Sequence, residues 1–305
     1  MKKDILLFAG SSNVPLAREV AQILGITLGK VDLTRFADGE LRPWIQEDVR
    51  DKTVFVLQSF SYPMDEHIME MSLIGDAIAR SAPKTMVAII PYMGYARQDK
   101  QHRTGEPVSA RVIAKFLEVS KYQEVITIDL HNDAIVGFFQ IPVTHLSALD
   151  ILAKEIKKLH VTNGLVVSPD VGGVKRARNL AYLLNVPMVV MEKKRYLDRF
   201  DKSESFQIIG DVAGRDIIII DDIISTGGTI LTSVQSLKEA GAKSVNVFAT
   251  HGVLAGHAVE NLKDAALERI VLTDTIAISK DKFFPGLEVA SVAPLIASAI
   301  ERMVG

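Results

Sequence analysis

Residues Asp216–Thr229 read DIIIIDDIISTGGT. Four consecutive isoleucines leave no polar face, the mark of a strand covered on both sides, as central strands of parallel sheets are. Two carboxylates, Asp221 and Asp222, stand at the exit of that strand. Ser225-Thr226-Gly227-Gly228-Thr229 then leads into a helix expected to begin near Ile230. Glycines let the backbone turn tightly and approach an anion, while hydroxyls and the first N–H groups of a helix supply donors. A phosphate fits such a cradle. The acids repel phosphate, but they can accept hydrogen bonds from sugar hydroxyls or hold hydrated Mg2+. A lone Gly-Gly turn would read as an ordinary capped connection. Two acids, three hydroxyls and two glycines in one strand–loop–helix stretch favour a sugar-phosphate loop instead. Neither G-x-x-x-x-G-K-S/T nor G-x-G-x-x-G occurs, which argues against P-loop kinases and dinucleotide dehydrogenases.

Similar apolar runs recur along the chain. Ile5–Ala9, Val54–Leu57, Met86–Ile90 and Val125–Ile128 precede the loop, and Leu165–Val167, Met188–Met191, Val245–Ala249 and Ile270–Leu272 surround it. Between them lie amphipathic stretches, among them Pro107–Glu118, with Pro107 suited to a first helical position, and Ala148–Leu159. Strands alternating with helices imply right-handed βαβ units and an α/β fold built on parallel sheets. The length of 305 residues suits two domains, placed at 1–148 and 149–305, each with about five strands. That symmetry points to a duplicated domain. Ligands of such sheets bind beyond the carboxyl ends of the strands, so the polar residues following each run are the ones to inspect.

Composition narrows the function classes. With 48% hydrophobic and 24% charged residues the chain can bury an ordinary core. A formal net charge of -2 gives no general attraction for nucleic acid or an anionic membrane. The absence of cysteine excludes disulfides, thiolate metal sites and cysteine nucleophiles. Ile5–Ala9 is too short for a signal peptide's apolar core and follows Asp4, so it reads as a first buried strand. No apolar run approaches the roughly 18 residues of a membrane helix. A cytoplasmic location is the expectation.

The acids followed by Ser-Thr-Gly-Gly-Thr resemble the phosphoribosyl diphosphate loop of type I phosphoribosyltransferases, and the rest of the chain resembles the ribose-phosphate diphosphokinase family. Phe36-Ala37-Asp38-Gly39-Glu40 is similar to that family's FxDGE segment, and Pro91–Asp99 (PYMGYARQD) to its signature after a strand. Asp129-Leu130-His131 and Ser168-Pro169-Asp170 match two further strand ends, and Glu192-Lys193-Lys194-Arg195 falls where the family has its catalytic loop. The resemblance implies two similar domains of three-layer, phosphoribosyltransferase-like architecture. It also implies transfer of the β,γ-diphosphoryl group of ATP to the anomeric hydroxyl of ribose 5-phosphate, leaving AMP.

The same resemblance assigns roles. Phe36, Asp38, Gly39, Glu40, Arg97 and Gln98 contact ATP, the hairpin residues reaching a neighbouring subunit's site, so a homo-oligomer is implied. Asp221, Asp222, Ser225, Thr226, Gly227, Gly228 and Thr229 hold ribose 5-phosphate, with Arg195 contributing. His131 and Asp170 match the Mg2+ positions, and Lys193 with Arg195 stabilises the transition state. Taken alone, Phe36 would read as core packing, Arg97 as a surface ion pair, and His131 as a hydrogen-bonded structural histidine. His102 and His251 lack metal-site spacing and keep that structural reading.

Two positions depart from the bacterial pattern. Ser225 stands where many bacterial members carry an acid, and Gly105 of His102–Glu106 (HRTGE) where they often carry arginine. Ser-Thr-Gly-Gly-Thr and Lys193-Lys194 resemble archaeal members instead. Activation by phosphate and inhibition by ADP therefore do not follow from the resemblance. Two competing readings share the loop: a transferase that consumes phosphoribosyl diphosphate, and a non-catalytic regulatory homologue. The first needs neither PYMGYARQD nor a second α/β domain. The second characteristically carries insertions around the catalytic loop, where this chain is compact.

Overall fold

The computed structural model describes residues 4–159, 161–194 and 205–305. The chain divides into two compact units. One comprises residues up to Ser147 together with Thr275–Ala277 and Ser291–Gly305; the other comprises Ala148–Asp274 and Ile278–Ala290. The C-terminal helix therefore groups with the first half of the chain rather than the second.

In the first unit, β1 (Ile5–Ala9), β4 (Thr53–Leu57), β5 (Thr85–Ile90), β6 (Glu124–Ile128) and β7 (Val143–Leu146) form a parallel sheet in that order. A hairpin of β2 (Val31–Arg35) and β3 (Leu41–Ile45) stands apart as a two-stranded sheet. Val54, Val56, Met86, Ala88 and Ile90 pack with Met71, Ile74 and Ile78 of α2 (Met64–Ala79) and Ile113 and Leu117 of α3 (Ser109–Val119). Helix α1 (Val14–Leu24) lies against β1 and against α8 (Ala293–Val304).

The strands of the second unit are β8 (Gly164–Ser168), β9 (Met188–Lys194), β10 (Ser205–Ile209), β11 (Asp216–Ile224), β12 (Ser244–Gly252), β13 (Arg269–Thr273) and β14 (Leu287–Ala290). They form one seven-stranded sheet in the order β10-β9-β8-β11-β12-β13-β14. Only the β9–β10 pair is antiparallel. Side chains alternate across the sheet. Leu165, Val167, Ile217 and Ile219 meet α6 (Gly228–Glu239) and α7 (Ala258–Asp264) through Val234, Leu237 and Leu262. Val166, Ile218, Ile220 and Phe248 pack with Leu152 and Ile156 of α4 (Leu149–Lys157) and with Ala177 and Leu180 of α5 (Val174–Leu184). Helices on both faces make three layers.

The two units repeat one element order. A strand and a helix precede an antiparallel pair, and four parallel strands follow. In the first unit that pair is the separate β2–β3 hairpin; in the second, β9 pairs onto β8 and extends the sheet. The fold is thus α/β with two similar parallel-sheet domains.

The nine apolar runs all lie within strands. Helix starts differ from expectation. Helix α3 begins at Ser109, not Pro107, because Gln98 fixes its first turn: the Gln98 side chain accepts from the Ser109 hydroxyl and its carbonyl from the Ala110 N–H at 3.2 Å. Helix α6 begins at Gly228, two residues before Ile230.

Candidate active site

Strand β11 is the fourth of seven, and the chain leaves its neighbour β8 for β9 on the opposite side. That reversal makes a switch point, the place beyond the carboxyl ends of the strands where open α/β sheets generally bind their ligands. The acids were expected at the exit of β11, but they lie within it. Pairing with β12 continues through Asp221↔Ala249 to Ile224↔Gly252, whereas pairing with β8 stops at Ile219↔Val167. Strand β8 ends at Ser168 while the nine-residue β12 runs on to Gly252, so the acids are supported on one edge and open on the other.

Asp221 accepts the Asp222 N–H at 2.9 Å. Arg176, on the first turn of α5, places Nη1 3.3 Å from Asp222 and 3.8 Å from Asp221. Asp222 is only 6% exposed, so the guanidinium offsets the cost of burying its charge. Burial, and then the adjacent Asp222, push the Asp221 carboxyl well above the ordinary carboxylate range; Asp170 adds to the push and Arg176 opposes it. Asp170 lies just beyond β8, where one carboxylate oxygen takes the Gly173 N–H at 2.8 Å and its carbonyl takes the Ser168 hydroxyl at 2.7 Å. Arg176 is a contributor that sequence reasoning missed. Lys175-Arg176-Ala177-Arg178 is visibly basic, but nothing in it says which side chain turns toward the acids.

The raised Asp221 pKa has a sign. A carboxyl whose folded-state pKa lies above its unfolded value of about 4 contributes stability below that pH and loses it as pH rises through the folded value. The ligand-free chain is therefore expected to lose melting temperature over that interval relative to Asp221→Asn. Thermal melts of both proteins across pH check this; parallel curves contradict it.

The loop after β11 has its carbonyls tied down on one side. The Ile224 carbonyl accepts from Val253 and Leu254, Ser225 from Ala255 at 2.8 Å, and Thr226 from the Asn261 side chain at 2.8 Å. A trans peptide points its N–H opposite to its carbonyl, so the N–H groups of Ser225, Thr226 and Gly227 turn away from those partners. Gly227 caps α6 in the left-handed region at φ 75° and offers no side-chain cap. The first-turn N–H groups of α6 are thus left to an external acceptor. Gly228 and Thr229 open that turn.

The residues that the resemblance assigns to ATP lie in the first unit. Phe36–Glu40 is the tip of the β2–β3 hairpin, closed by Phe36 N–H to Glu40 O and Gly39 N–H to Phe36 O, both 2.9 Å. Phe36 is 51% exposed, with Arg42 5.5 Å over its ring. It is not a core residue. Asp38 accepts the Glu40 N–H at 3.2 Å, and Gly39 adopts φ 95°. Arg97 and Gln98 are exposed beyond β5, although the Gln98 amide is engaged at α3. Asp99 accepts from the Asn132 amide at 2.7 Å, joining this segment to the one carrying exposed His131. His145 accepts the Leu130 N–H at 2.9 Å and steadies that second segment. Gly105, at φ 92°, holds a conformation in which arginine would be strained. Among the described residues no three His, Asp or Glu side chains gather as a metal nest.

Lys193 sits in β9 with its backbone paired to Phe206 of β10, and its side chain lies outside what the structure describes. Arg195 lies outside the described residues.

A family model described as the N-terminal domain of ribose phosphate pyrophosphokinase matches residues 5–120. A second, described as a phosphoribosyl synthetase-associated domain, matches 199–305. The ribose-phosphate pyrophosphokinase of Bacillus caldolyticus is 43% identical over 300 residues, 98% of this chain and 95% of its own length. That of Burkholderia pseudomallei is 44% identical over 301 residues, 98% and 94% of the two chains. The crystal structure of phosphoribosylpyrophosphate synthetase from Mycobacterium smegmatis superposes with a TM-score of 0.93 at 39% identity, covering 99% of each chain.

Proposed function

The chain belongs to the ribose-phosphate pyrophosphokinase family, and on that premise we propose that it transfers the β,γ-diphosphoryl group of ATP to the anomeric hydroxyl of ribose 5-phosphate, giving 5-phosphoribosyl 1-diphosphate and AMP. The carrying observation is the uncapped start of α6 beside the open acid pair at the β8/β11 switch point. Outward-turned N–H groups suit the 5-phosphate, and carboxylates beside them suit ribose hydroxyls.

Ser225–Thr229 hold the phosphate, and Asp221 and Asp222 accept from the sugar and fix its orientation. The nucleotide is held by Arg97, whose guanidinium suits paired hydrogen bonds to phosphate, with Gln98 and the Phe36–Glu40 hairpin. Lys193 and Arg195 offset charge on the group in flight. Positioning and electrostatics carry such a transfer without a covalent intermediate. Asp170 presents a hard oxygen ligand, and Mg2+ is commonly held by few protein groups and several waters. His131 and Asp170 are each proposed Mg2+ positions; when bound, Mg2+ supplies neutralisation of phosphate charge. A homo-oligomer and a cytoplasmic location complete the reading.

Incubation with Mg-ATP should yield AMP only when ribose 5-phosphate is present. ADP formation would indicate an ordinary kinase, and no nucleotide turnover would favour the regulatory or base-transfer readings. Against those stand relatives matched over 98% of this chain and two complete α/β units.

A further inference from the structure

The first turn of helix α2 carries two acids, Asp65 and Glu66, that touch residues flanking the two segments assigned to ATP. Glu66 binds the Arg35 guanidinium, whose other arm donates to the Gly39 carbonyl at 2.7 Å inside the hairpin tip. Asp65 accepts from the Tyr95 hydroxyl, two residues before Arg97. The second contact lies over a close backbone approach: a Cβ on Gly94 would stand 2.4 Å from the Phe60 carbonyl and 3.2 Å from the Met64 sulfur. Tyr95 itself is held at φ 65°.

The helix carrying these acids is fixed from below. Buried Glu70 accepts from the Gln58 amide at 2.6 Å and from the Ser11 N–H at 2.7 Å. The Gln58 carbonyl oxygen in turn takes the Ser12 hydroxyl at 2.6 Å. These bonds tie α2 to the ends of β1 and β4. The helix that carries Asp65 and Glu66 is thus held to the sheet by buried hydrogen bonds one turn further on.

We propose that Asp65 and Glu66 are positioning residues for the nucleotide, setting the Arg97 segment and the Phe36–Glu40 tip through Tyr95 and Arg35. This rests on the ATP assignment of those segments. Neither acid is required to touch substrate. Carboxylates in a first helical turn also favour the helix itself, so the test must separate positioning from stability.

Asp65→Ala and Glu66→Ala are each expected to raise the KM for Mg-ATP about three- to tenfold, the net scale of one ordinary hydrogen bond. The KM for ribose 5-phosphate should stay unchanged. Tyr95→Phe, which leaves the helix acids in place, should reproduce the Asp65→Ala effect, and the double variant should be no worse than either alone. Asp65→Asn and Glu66→Gln, which keep an acceptor, should recover part of the loss. Direct titration of Mg-ATP onto each protein should show the same ratio. Equal effects on both substrates, or a fall in melting temperature with no change in ATP affinity, would overturn the proposal. If the unaltered chain turns over ATP and the variants match it, the positioning claim alone fails. If the unaltered chain neither binds nor turns over ATP, the functional assignment fails with it.

Discussion

Lys193→Ala is expected to lower kcat by about 100- to 1000-fold, the scale for removing one preorganised donor to developing charge. The backbone at Lys193 is paired to β10, and β9 itself pairs with β8, so the residue is anchored one strand away from the β8/β11 switch point. Diphosphoryl transfer brings polyanions together, each phosphate monoester contributing roughly -1.5 to -2 charges. A cation that meets the charge in flight lowers the barrier without tightening the ground state, so the KM for ribose 5-phosphate should move little. Steady-state kinetics decide it: a near-unchanged kcat removes Lys193 from the role.

Gly227→Val acts on the other half of the reaction. Gly227 holds φ 75°, and a Cβ there would sit 3.2 Å from the Ala258 carbonyl, 3.4 Å from Asn261 and 3.4 Å from Leu262. Left-handed backbone costs a branched residue about 1–2 kcal/mol, and the valine methyls add contacts that α7 cannot yield without shifting. The loop carbonyls are anchored to residues 253–261, so relief comes from turning the peptides of the Ser225–Thr229 loop, the proposed phosphate site. The KM for ribose 5-phosphate is expected to rise about 30-fold, equivalent to roughly 2 kcal/mol, with ATP affinity retained. Loss of ATP affinity in equal measure would indicate general damage rather than a phosphate cradle.

The sequence was most legible where burial was most complete. Ile217–Ile220 and most of the other apolar runs have both faces covered, Ile5–Ala9 and Met188–Met191 being partly exposed, so composition alone marks them as strands. The β2–β3 hairpin, β7, β10 and β14 escaped that reading. Strand β3 alternates half-buried with exposed residues, and β14 buries only its two ends. Short or one-sided strands mix polar and apolar residues and lack the continuous run that identifies a core strand. The Ser225–Thr229 loop was readable because glycines, hydroxyls and acids stood in one stretch. Arg176, Asp65 and Glu66 were not, since each acts on a partner 30 or more residues away and only the fold brings the pairs together. The start of α6 at Gly228 was hidden for a related reason. Glycine is a weak helix former in isolation, and here Gly227 caps the helix at a left-handed φ of 75° that glycine adopts without strain, so that Gly228 can open it.

The most direct test of diphosphoryl transfer follows the β-phosphate itself. ATP labelled at that atom is mixed with ribose 5-phosphate, Mg2+ and the protein, and the products are separated. The β-label should appear in a sugar diphosphate, with unlabelled AMP formed in equal amount. Label retained in ADP, or released as free diphosphate without a sugar product, would contradict the account.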